Sequence, residues 1–524
     1  MLSNFIKGTL VLTIAGFVVK AIGSINWILL SRVLGGEGIG IYQMAFPIYL
    51  LALQVSSAGI PIAISIVTAE KLAKRDLHGA KQVFSISMTF LTITGLLCSL
   101  LIYFGAPYLI EEGYIIEPRA YYSLLALAPA IFFVTLISGY RGYLQGWQMM
   151  TPTAVSQIIE QLLRVVIMLS AAYVLLPYGL GEAAGGASLG AGIGAIGALL
   201  CLYYYYRKLP KELPPVDEET LSPIKKAHQS NHEILWRLIK LAIPISLASL
   251  MLPLVANLDL FIVPRRLLVA GFSTDEATEL FGYLTGMAIP LINLATIITA
   301  AMATSVVPSI SSLVSKRDKK GIYERAAGSM QLTFVATVPF SVILYILAEP
   351  VVTFIYNAPK AATATQILAI AIFFLGVHQV TTGILQGLGQ PRIPVVNMGI
   401  AAAIKVTMNW FLVAIPWLGI AGASYATIAD IAFAAMLNLI YIKKYTGYFM
   451  DMALLGKNII SAAIMGLLMF YLHEWLLTFN IHLVLDILIT ASVGMIIYLV
   501  TMIAMKGISV EDLKRMPLVN RFIK

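Results

Sequence analysis

The chain has 524 residues, 59% of them hydrophobic and only 12% charged, with a mean hydropathy of +0.87. A soluble domain carries about twice that charge, so the composition excludes a soluble globular fold and marks a polytopic membrane protein. The formal net charge of +9 is dispersed over short loops; it is no nucleic-acid footprint, and no nucleic-acid partner is expected.

Taken in order, the first apolar segment is too long for a signal-peptide core and has no small-residue cleavage site after it, so it is expected to stay as a membrane helix. Hydropathy gives fourteen candidate spans, at about 8–30, 42–69, 83–105, 119–139, 154–176, 184–206, 240–262, 282–307, 326–347, 363–384, 394–415, 421–442, 458–478 and 483–505. Cys98 and Cys201 both sit in apolar segments, which implies neither a disulfide framework nor a metal cluster. Of the 35 basic residues, only Arg32, Arg119, Arg265, Arg266 and Lys360 fall in outer segments when the N-terminus is placed in the cytoplasm, and Lys20, Arg164 and Lys405 lie within spans. The rest lie inside, so the expected orientation has both termini cytoplasmic in the cell membrane.

The two halves repeat. GYLQG at 142–146 returns as GILQG at 383–387, and Lys74-Arg75-Asp76 returns as Lys316-Arg317-Asp318, at offsets of 241 and 242 residues. FIKGTLVL at the start resembles LIKLAIPI at 238–245. Six spans per repeat is an even number, so the repeats are parallel and enter from the same side. The fold expected is an all-α polytopic membrane protein with two parallel six-helix lobes and two extra C-terminal helices. Its parts are an N-terminal lobe at 1–206, a proline-rich and charged cytoplasmic linker at 207–237, a C-terminal lobe at 238–445, and the extra helices with a cytoplasmic tail at 446–524.

Ionisable groups inside a span are costly and mark a bundle interior or a wet cavity. The candidates are Lys20, Glu160, Arg164, Asp259, Lys405 and Asp430. Glu160 and Arg164 stand four residues apart and face the same way. At about 1.5 Å per residue, Arg164 lies roughly 15 Å past the turn that precedes its helix, near mid-bilayer. The bland reading is a neutralised pair that holds helices together. Lys20 and Lys405 have no carboxylate on their own helical face; they pair with Asp259 or Asp430, snorkel to the boundary, which a mid-span place disfavours, or face a hydrated cavity at the interface between the halves. Such a cavity could hold an anionic head group and still release it.

Other features carry less. Gly192-Ile-Gly194-Ala-Ile-Gly197 matches a dinucleotide fingerprint but follows no strand, so that reading fails. Gly186, Gly190 and Gly194 instead form a small-residue ridge for close helix packing. No Walker A motif appears, the six histidines lack metal-ligand spacing, and His378 reads as a packed or hydrogen-bonded residue. No cofactor, metal or catalytic residue is expected. Pro47, Pro61, Pro129, Pro253, Pro290 and Pro339 fall inside spans and permit bends, static or functional.

Three first-half stretches, SRVLGGEGIGIYQMAFPIY at 31–49, SSAGIPIAISIVTAEKLAK at 56–74 and RGYLQGWQMMTPTAVSQIIEQLLRV at 141–165, together with VPRRL at 263–267, carry a resemblance. With the second-half echoes, the chain resembles the multidrug/oligosaccharidyl-lipid/polysaccharide (MOP, MATE-like) exporter superfamily. Within it the chain is most like the polysaccharide-biosynthesis branch of stage V sporulation protein B-like proteins and lipid II flippases. The resemblance implies two six-helix lobes around a central cavity and a flippase that moves an undecaprenyl-linked oligosaccharide by alternating access. Lipid II, or a related cell-wall or spore-cortex precursor, is the implied substrate, and the two extra helices are the implied seat of the lipid tail. Lys20 matches a cationic first-helix position of those flippases, while Asn26 stands where another charge is expected. The implied substrate-binding residues are Lys20, Asn26, Glu160, Arg164, Asp259, Lys405 and Asp430. Lipids are implied partners, cell-wall synthesis enzymes are the protein partners it admits, and a monomer is expected. A sporulation role rests on the resemblance alone.

Three alternatives stand beside this reading, one of them a purely supportive partner of cell-wall or spore-coat enzymes, which would not need three mid-membrane cations. A cation-coupled drug exporter of the same superfamily favours a more acidic cavity and no extra helices. A membrane-embedded enzyme acting on lipid-linked glycans needs a substantial outer loop with catalytic groups, and the longest outer loop expected, 263–281, is short.

Overall fold

A computed structural model describes residues 2–57, 59–210, 230–479 and 481–507. Most of the expected linker, 211–229, and the basic tail from 508 onward lie outside the described residues. Among the described residues the chain is helical and contains no strand. A lipid environment selects for this, because a helix satisfies every backbone N–H and C=O within its own segment.

Contacts between Cα atoms divide the chain into two compact units. Unit 1 takes the residues up to Arg265 together with Ser273–Gly282. It is built from α1 (Leu2–Ser57), α2 (Ile60–Ala73), α3 (Leu77–Glu111), α4 (Ala120–Gly146), α5 (Thr151–Leu175), α6 (Leu180–Arg207), most of α7 (Asn231–Val269), and α8 (Thr274–Gly282). Unit 2 takes Arg266–Phe272 and the residues from Tyr283 on. After a π-helical stretch, Tyr283–Ala288, come α9 (Ile289–Ala295), α10 (Ile297–Ser315), α11 (Lys319–Ile346), α12 (Ala348–Tyr356), α13 (Ala362–Ala369), α14 (Ala371–Gly387), α15 (Arg392–Leu412), α16 (Ile420–Thr446), α17 (Met452–Leu477) and α18 (Leu483–Ala504).

Eleven helices among the described residues are long and apolar enough to cross a membrane, or twelve if a pair bent by 49°, Pro359–Ala369 with Ala371–Gly387, counts as one. The chain is a multi-pass membrane protein. The difference from the fourteen expected spans has visible sources. The first two expected spans fall in one stretch, Ile14–Ala73, broken at Gly35, whose φ of 67° lies in the left-handed region. The seventh lies in α7, which is not among the eleven, and the tenth is the bent pair; the eighth is counted through α10 alone, its first part being the π-helical stretch and α9. The prolines also divide: Pro47, Pro129 and Pro339 lie inside helices, whereas Pro61 and Pro290 sit in the first turn of theirs, where no backbone hydrogen bond is lost. The segment expected as the long outer loop, 263–281, is largely helical, with α8 opened by reciprocal hydrogen bonds between Ser273 and Glu276.

The repeat in the sequence is a repeat in space. Arg75 and Arg317 both adopt a φ of 56°, and the next residue in each case caps a helix: Asp76 accepts from Gly79 N–H at 2.7 Å, and Asp318 accepts from Gly321 N–H at 2.9 Å. The α4–α5 and α14–α15 turns also match. Met149 N–H donates to Leu144 C=O at 3.0 Å with Gln148 left-handed, and Gln390 N–H donates to Leu385 C=O at 2.9 Å with Gly389 left-handed. A Cβ on Gly142 would lie 2.5 Å from the Pro61 carbonyl oxygen, and one on Gly383 would lie 2.5 Å from that of Ala303. One contact repeats with its members exchanged. In unit 1, Gly95 of α3 faces Thr135 of α4, and in unit 2, Thr337 of α11 faces Gly376 of α14.

The extra helices α17 and α18 belong to unit 2. Met465, Met469, Tyr498 and Met502 share an apolar cluster with Val335 and Leu347. The Tyr498 hydroxyl donates to Asn458 Oδ1 at 2.5 Å, and His473 Nδ1 lies 2.8 Å from Asp486 Oδ2.

Candidate functional site

The glycine ridge of α6 sets the position of the charged face of α5. A Cβ on Gly190 would lie 2.6 Å from the Arg164 carbonyl oxygen, and one on Gly194 would lie 2.6 Å from that of Glu160. Only hydrogen at these positions lets the two backbones come so close. With its backbone against α6, α5 presents Ser156, Glu160 and Arg164 on successive turns.

Glu160 is held from both sides. Its Oε1 accepts from Arg164 Nη2 at 2.9 Å, and its Oε2 accepts from Arg141 Nη2 at 2.9 Å. Arg141 lies near the end of α4, and its Nε donates to Ser156 Oγ at 3.1 Å. The three charged side chains are 15–21% exposed, so this is a largely desolvated cluster of two cations on one anion. Its net charge is positive. The expected Glu160–Arg164 pair is present, and Arg141 is the member that the sequence reading missed. The signal was there: Arg141 precedes the α4–α5 turn by about as many residues as Ser156 follows it, so the hairpin sets them side by side.

Arg164 has further company. Tyr49 of α1 is buried close to its guanidinium, while Arg164 Nε has no partner among the described residues. Asn26 of α1 is buried, and its side-chain N–H₂ lies 2.9 Å from the Met168 sulfur, one turn beyond Arg164. Asn26 Oδ1 has no partner among the described residues. Gly23 packs where a Cβ would touch Gln161. The structure therefore brings Asn26, Glu160 and Arg164 together along the α1–α5 contact. Lys20 is exposed, six residues before Asn26 on the same helix. Asp259 of α7 is half-buried and engages a partner. Nearby, the Asn257 side chain donates to the carbonyls of Pro47 and Pro253, both at 2.8 Å, which binds α7 to α1.

Lys405 and Asp430 belong to unit 2. Lys405 is buried on α15, Asp430 is half-buried on α16, and each engages a partner. The repeat offset places Thr382 at the position of Arg141 and Asn397 at that of Ser156. These residues build a neutral network. Asn397 donates to Asn438 Oδ1 at 2.8 Å, and Asn438 donates to Thr381 and Thr382 hydroxyls, both at 3.2 Å. The same framework thus carries arginines and a carboxylate in unit 1, and amides and hydroxyls with Lys405 in unit 2.

A second charged cluster in unit 1 centres on Arg119. Arg119 donates to Glu117 at 2.7 and 2.8 Å, to Glu37 at 2.7 Å and to Asp275 at 2.7 Å. One arginine so joins α8 to the α1 segment beyond Gly35. Burial opposes ionisation of Glu117, but the hydrogen bonds from Arg119 and Thr278 hold its carboxyl below its ordinary value. Among the described residues, no group of three or more His, Cys, Asp or Glu side chains could hold a metal ion.

A model of the polysaccharide biosynthesis protein family matches residues 5–314, and the MatE model matches residues 284–411. Stage V sporulation protein B of Bacillus subtilis (strain 168) is 28% identical over 529 residues, covering 99% of this chain and 99% of that protein. Lipid II flippase MurJ of the same organism is 28% identical over 530 residues, covering 95% of each chain. Among solved structures, a lipid II flippase MurJ in an inward closed conformation is similar with a TM-score of 0.67 at 18% identity, over 94% of this chain and 98% of that one. An inward-facing MATE family multidrug resistance transporter of the MOP superfamily is similar with a TM-score of 0.66 at 16% identity, over 82% of this chain and 94% of that one. At these identities the structural likenesses establish the fold alone.

Proposed function

Because the chain belongs to the polysaccharide biosynthesis protein family, we propose that it is a flippase, translocating an undecaprenyl-linked oligosaccharide across the cell membrane by alternating access. Lipid II or a related cell-wall precursor is the leading substrate. The observation that carries this reading is the cluster in which Arg141 and Arg164 share Glu160 inside membrane helices. Two guanidiniums on one carboxylate leave positive charge for a pyrophosphate, and guanidinium suits phosphate oxygens in paired hydrogen bonds. The unpartnered Arg164 Nε and Asn26 Oδ1 offer a donor and an acceptor on the same contact. Full-length matches to stage V sporulation protein B and MurJ support the same reading.

The rest of the reading follows from it. Lys20, Asn26, Glu160, Arg164, Asp259, Lys405 and Asp430 bind the head group, with Arg141 added to them, while the polyprenyl chain stays in the bilayer. The chain has fourteen spans, both termini in the cytoplasm, and works as a monomer without enzymatic activity, supplying cell-wall synthesis enzymes. Moving one net charge through the membrane field is worth about 2.3 kcal/mol per 100 mV, so transport responds to an imposed potential.

The test is a proteoliposome assay with fluorescent lipid II and a membrane-impermeant quencher. Protein-dependent flipping that is lost in a folded Arg164→Gln variant is the expected result. Flipping retained in that variant makes Arg164 a structural partner of Glu160. No flipping by the unsubstituted protein, with and without an imposed potential, moves the substrate to another undecaprenyl-linked glycan.

A further inference from the structure

A groove of about 600 Å³ opens on the side of unit 1, lined by Lys81, Ser85, Met88, Thr89 and Thr92 of α3 and by Tyr206 of α6. Its volume is in the range of small-ligand sites. The lining residues of α3 recur at helical spacing from Lys81 to Ile93, so they form one stripe along the helix. At about 1.5 Å per residue the stripe runs roughly 18 Å, close to the depth of one hydrocarbon leaflet, about 15 Å.

The chemistry changes along it. At one end stands exposed Lys81, on the same end of the unit as Lys74, Arg75, Arg207 and Lys208. Beside it, Tyr206 stacks on Phe84 with centroids 4.6 Å apart, and Tyr140 closes edge-on against both. Arg207 and Lys208 lie over the rings of Tyr203 and Tyr204, a basic and aromatic pairing typical of the membrane boundary. Further along, the wall is neutral. Thr89 donates to the Ser85 carbonyl at 3.0 Å and Thr92 to the Met88 carbonyl at 2.7 Å, so their hydroxyl protons are spent within the helix.

We propose that this groove binds one anionic glycerophospholipid, with its phosphate at Lys81 and an acyl chain laid along α3 towards Ile93. A cation at the boundary meets the phosphate, the hydrogen-bond-neutral stripe meets the hydrocarbon, and the length of the stripe matches a chain in one leaflet. The site is independent of the translocation reading and of the residues assigned to it.

The experiment uses the full chain in vesicles of equal phosphatidylglycerol and phosphatidylcholine, with a trace of either lipid carrying an acyl-chain diazirine. After photolysis, adducts are mapped by peptide mass spectrometry. The expected result is labelling at 84–93 and Tyr206 that favours phosphatidylglycerol roughly five-fold, the effect of about one lysine near the surface. Leu97 and Leu101, exposed further along α3, should label equally with both lipids. Lys81→Glu should abolish the preference in the groove and leave Leu97 and Leu101 unchanged, which also reports a folded protein; Lys81→Arg should keep it. Equal labelling by both lipids, or labelling in the groove no greater than at Leu97 and Leu101, overturns the proposal. So does a preference that survives Lys81→Glu. Displacement of the tracer by a small molar fraction of undecaprenyl phosphate would reassign the groove to the transported lipid.

Discussion

Arg141 and Arg164 take opposite oxygens of one carboxylate, each at 2.9 Å, from two different helices. Glu160 therefore does more than neutralise its neighbour four residues on. It holds together two guanidiniums that would otherwise repel across a poorly solvated space. Glu160→Gln should destabilise the detergent-solubilised protein by about 3 kcal/mol, the cost typical of removing one member of a buried ionic group. Arg141→Gln combined with Glu160→Gln should recover part of that loss, because one of the two unpaired cations is gone. Thermal melts of both variants check this, and a double variant no more stable than Glu160→Gln would contradict it.

The charged face of α5 depends on its neighbour's glycines. Gly194→Val should displace α5 at Glu160, because a Cβ there already meets the Glu160 carbonyl at 2.6 Å. The expected cost is about 2 kcal/mol of overpacking, with loss of transport. Gly192→Ala is the control: its Cβ would find Ala130 at 3.8 Å, an ordinary contact. Monodisperse yield after solubilisation, followed by the flipping assay, separates the two.

The repeat, the α6 ridge and the Glu160–Arg164 pair were legible in the sequence because each is written in short-range chemistry. Glycines recur at fixed spacing, an aspartate precedes a helix, and two charges lie one turn apart. Arg141 was not legible in its role, because its partners lie across a turn and its charge was counted with the loops. Helix α8 was readable from Ser273 and Glu276, a capping pair, but polarity made that stretch look like loop. Arg119 joins residues as distant as Glu37 and Asp275, and no local pattern announces such a contact.

The exchanged glycine–threonine contact makes its own prediction. Gly95→Thr should destabilise unit 1, since a Cβ at Gly95 would lie 3.0 Å from the Thr135 Cβ. Adding Thr135→Gly should restore much of the stability by installing the unit 2 arrangement. Recovery should be incomplete, because the Thr135 hydroxyl also hydrogen-bonds Ser56 at 2.8 Å. Melting of the single and double variants decides it, and no recovery in the double variant would contradict the packing argument.

Glu117 should make stability depend on acid. Its folded-state carboxyl titrates below its ordinary value, so its contribution is complete above the unfolded value of about 4.3 and is lost as pH falls through the folded one. The stability difference between the unsubstituted protein and Glu117→Gln should be constant near neutrality and shrink below about pH 4. Melting curves from pH 3 to 7 measure it. Arg119→Gln should loosen α8 from α1 and make residues 273–282 more accessible to proteolysis.

Gly95 with Thr135, and Thr337 with Gly376, also bear on descent. If the two units arose by duplication of one ancestral segment, what each copy inherited at this place was a distance between helices rather than a residue. Either helix could supply the small side chain once the other supplied the large one. Compared one position at a time, glycine against threonine and threonine against glycine score as two mismatches. Compared as pairs, they are the same contact kept twice, so the kinship of the two units is closer than residue-by-residue identity suggests.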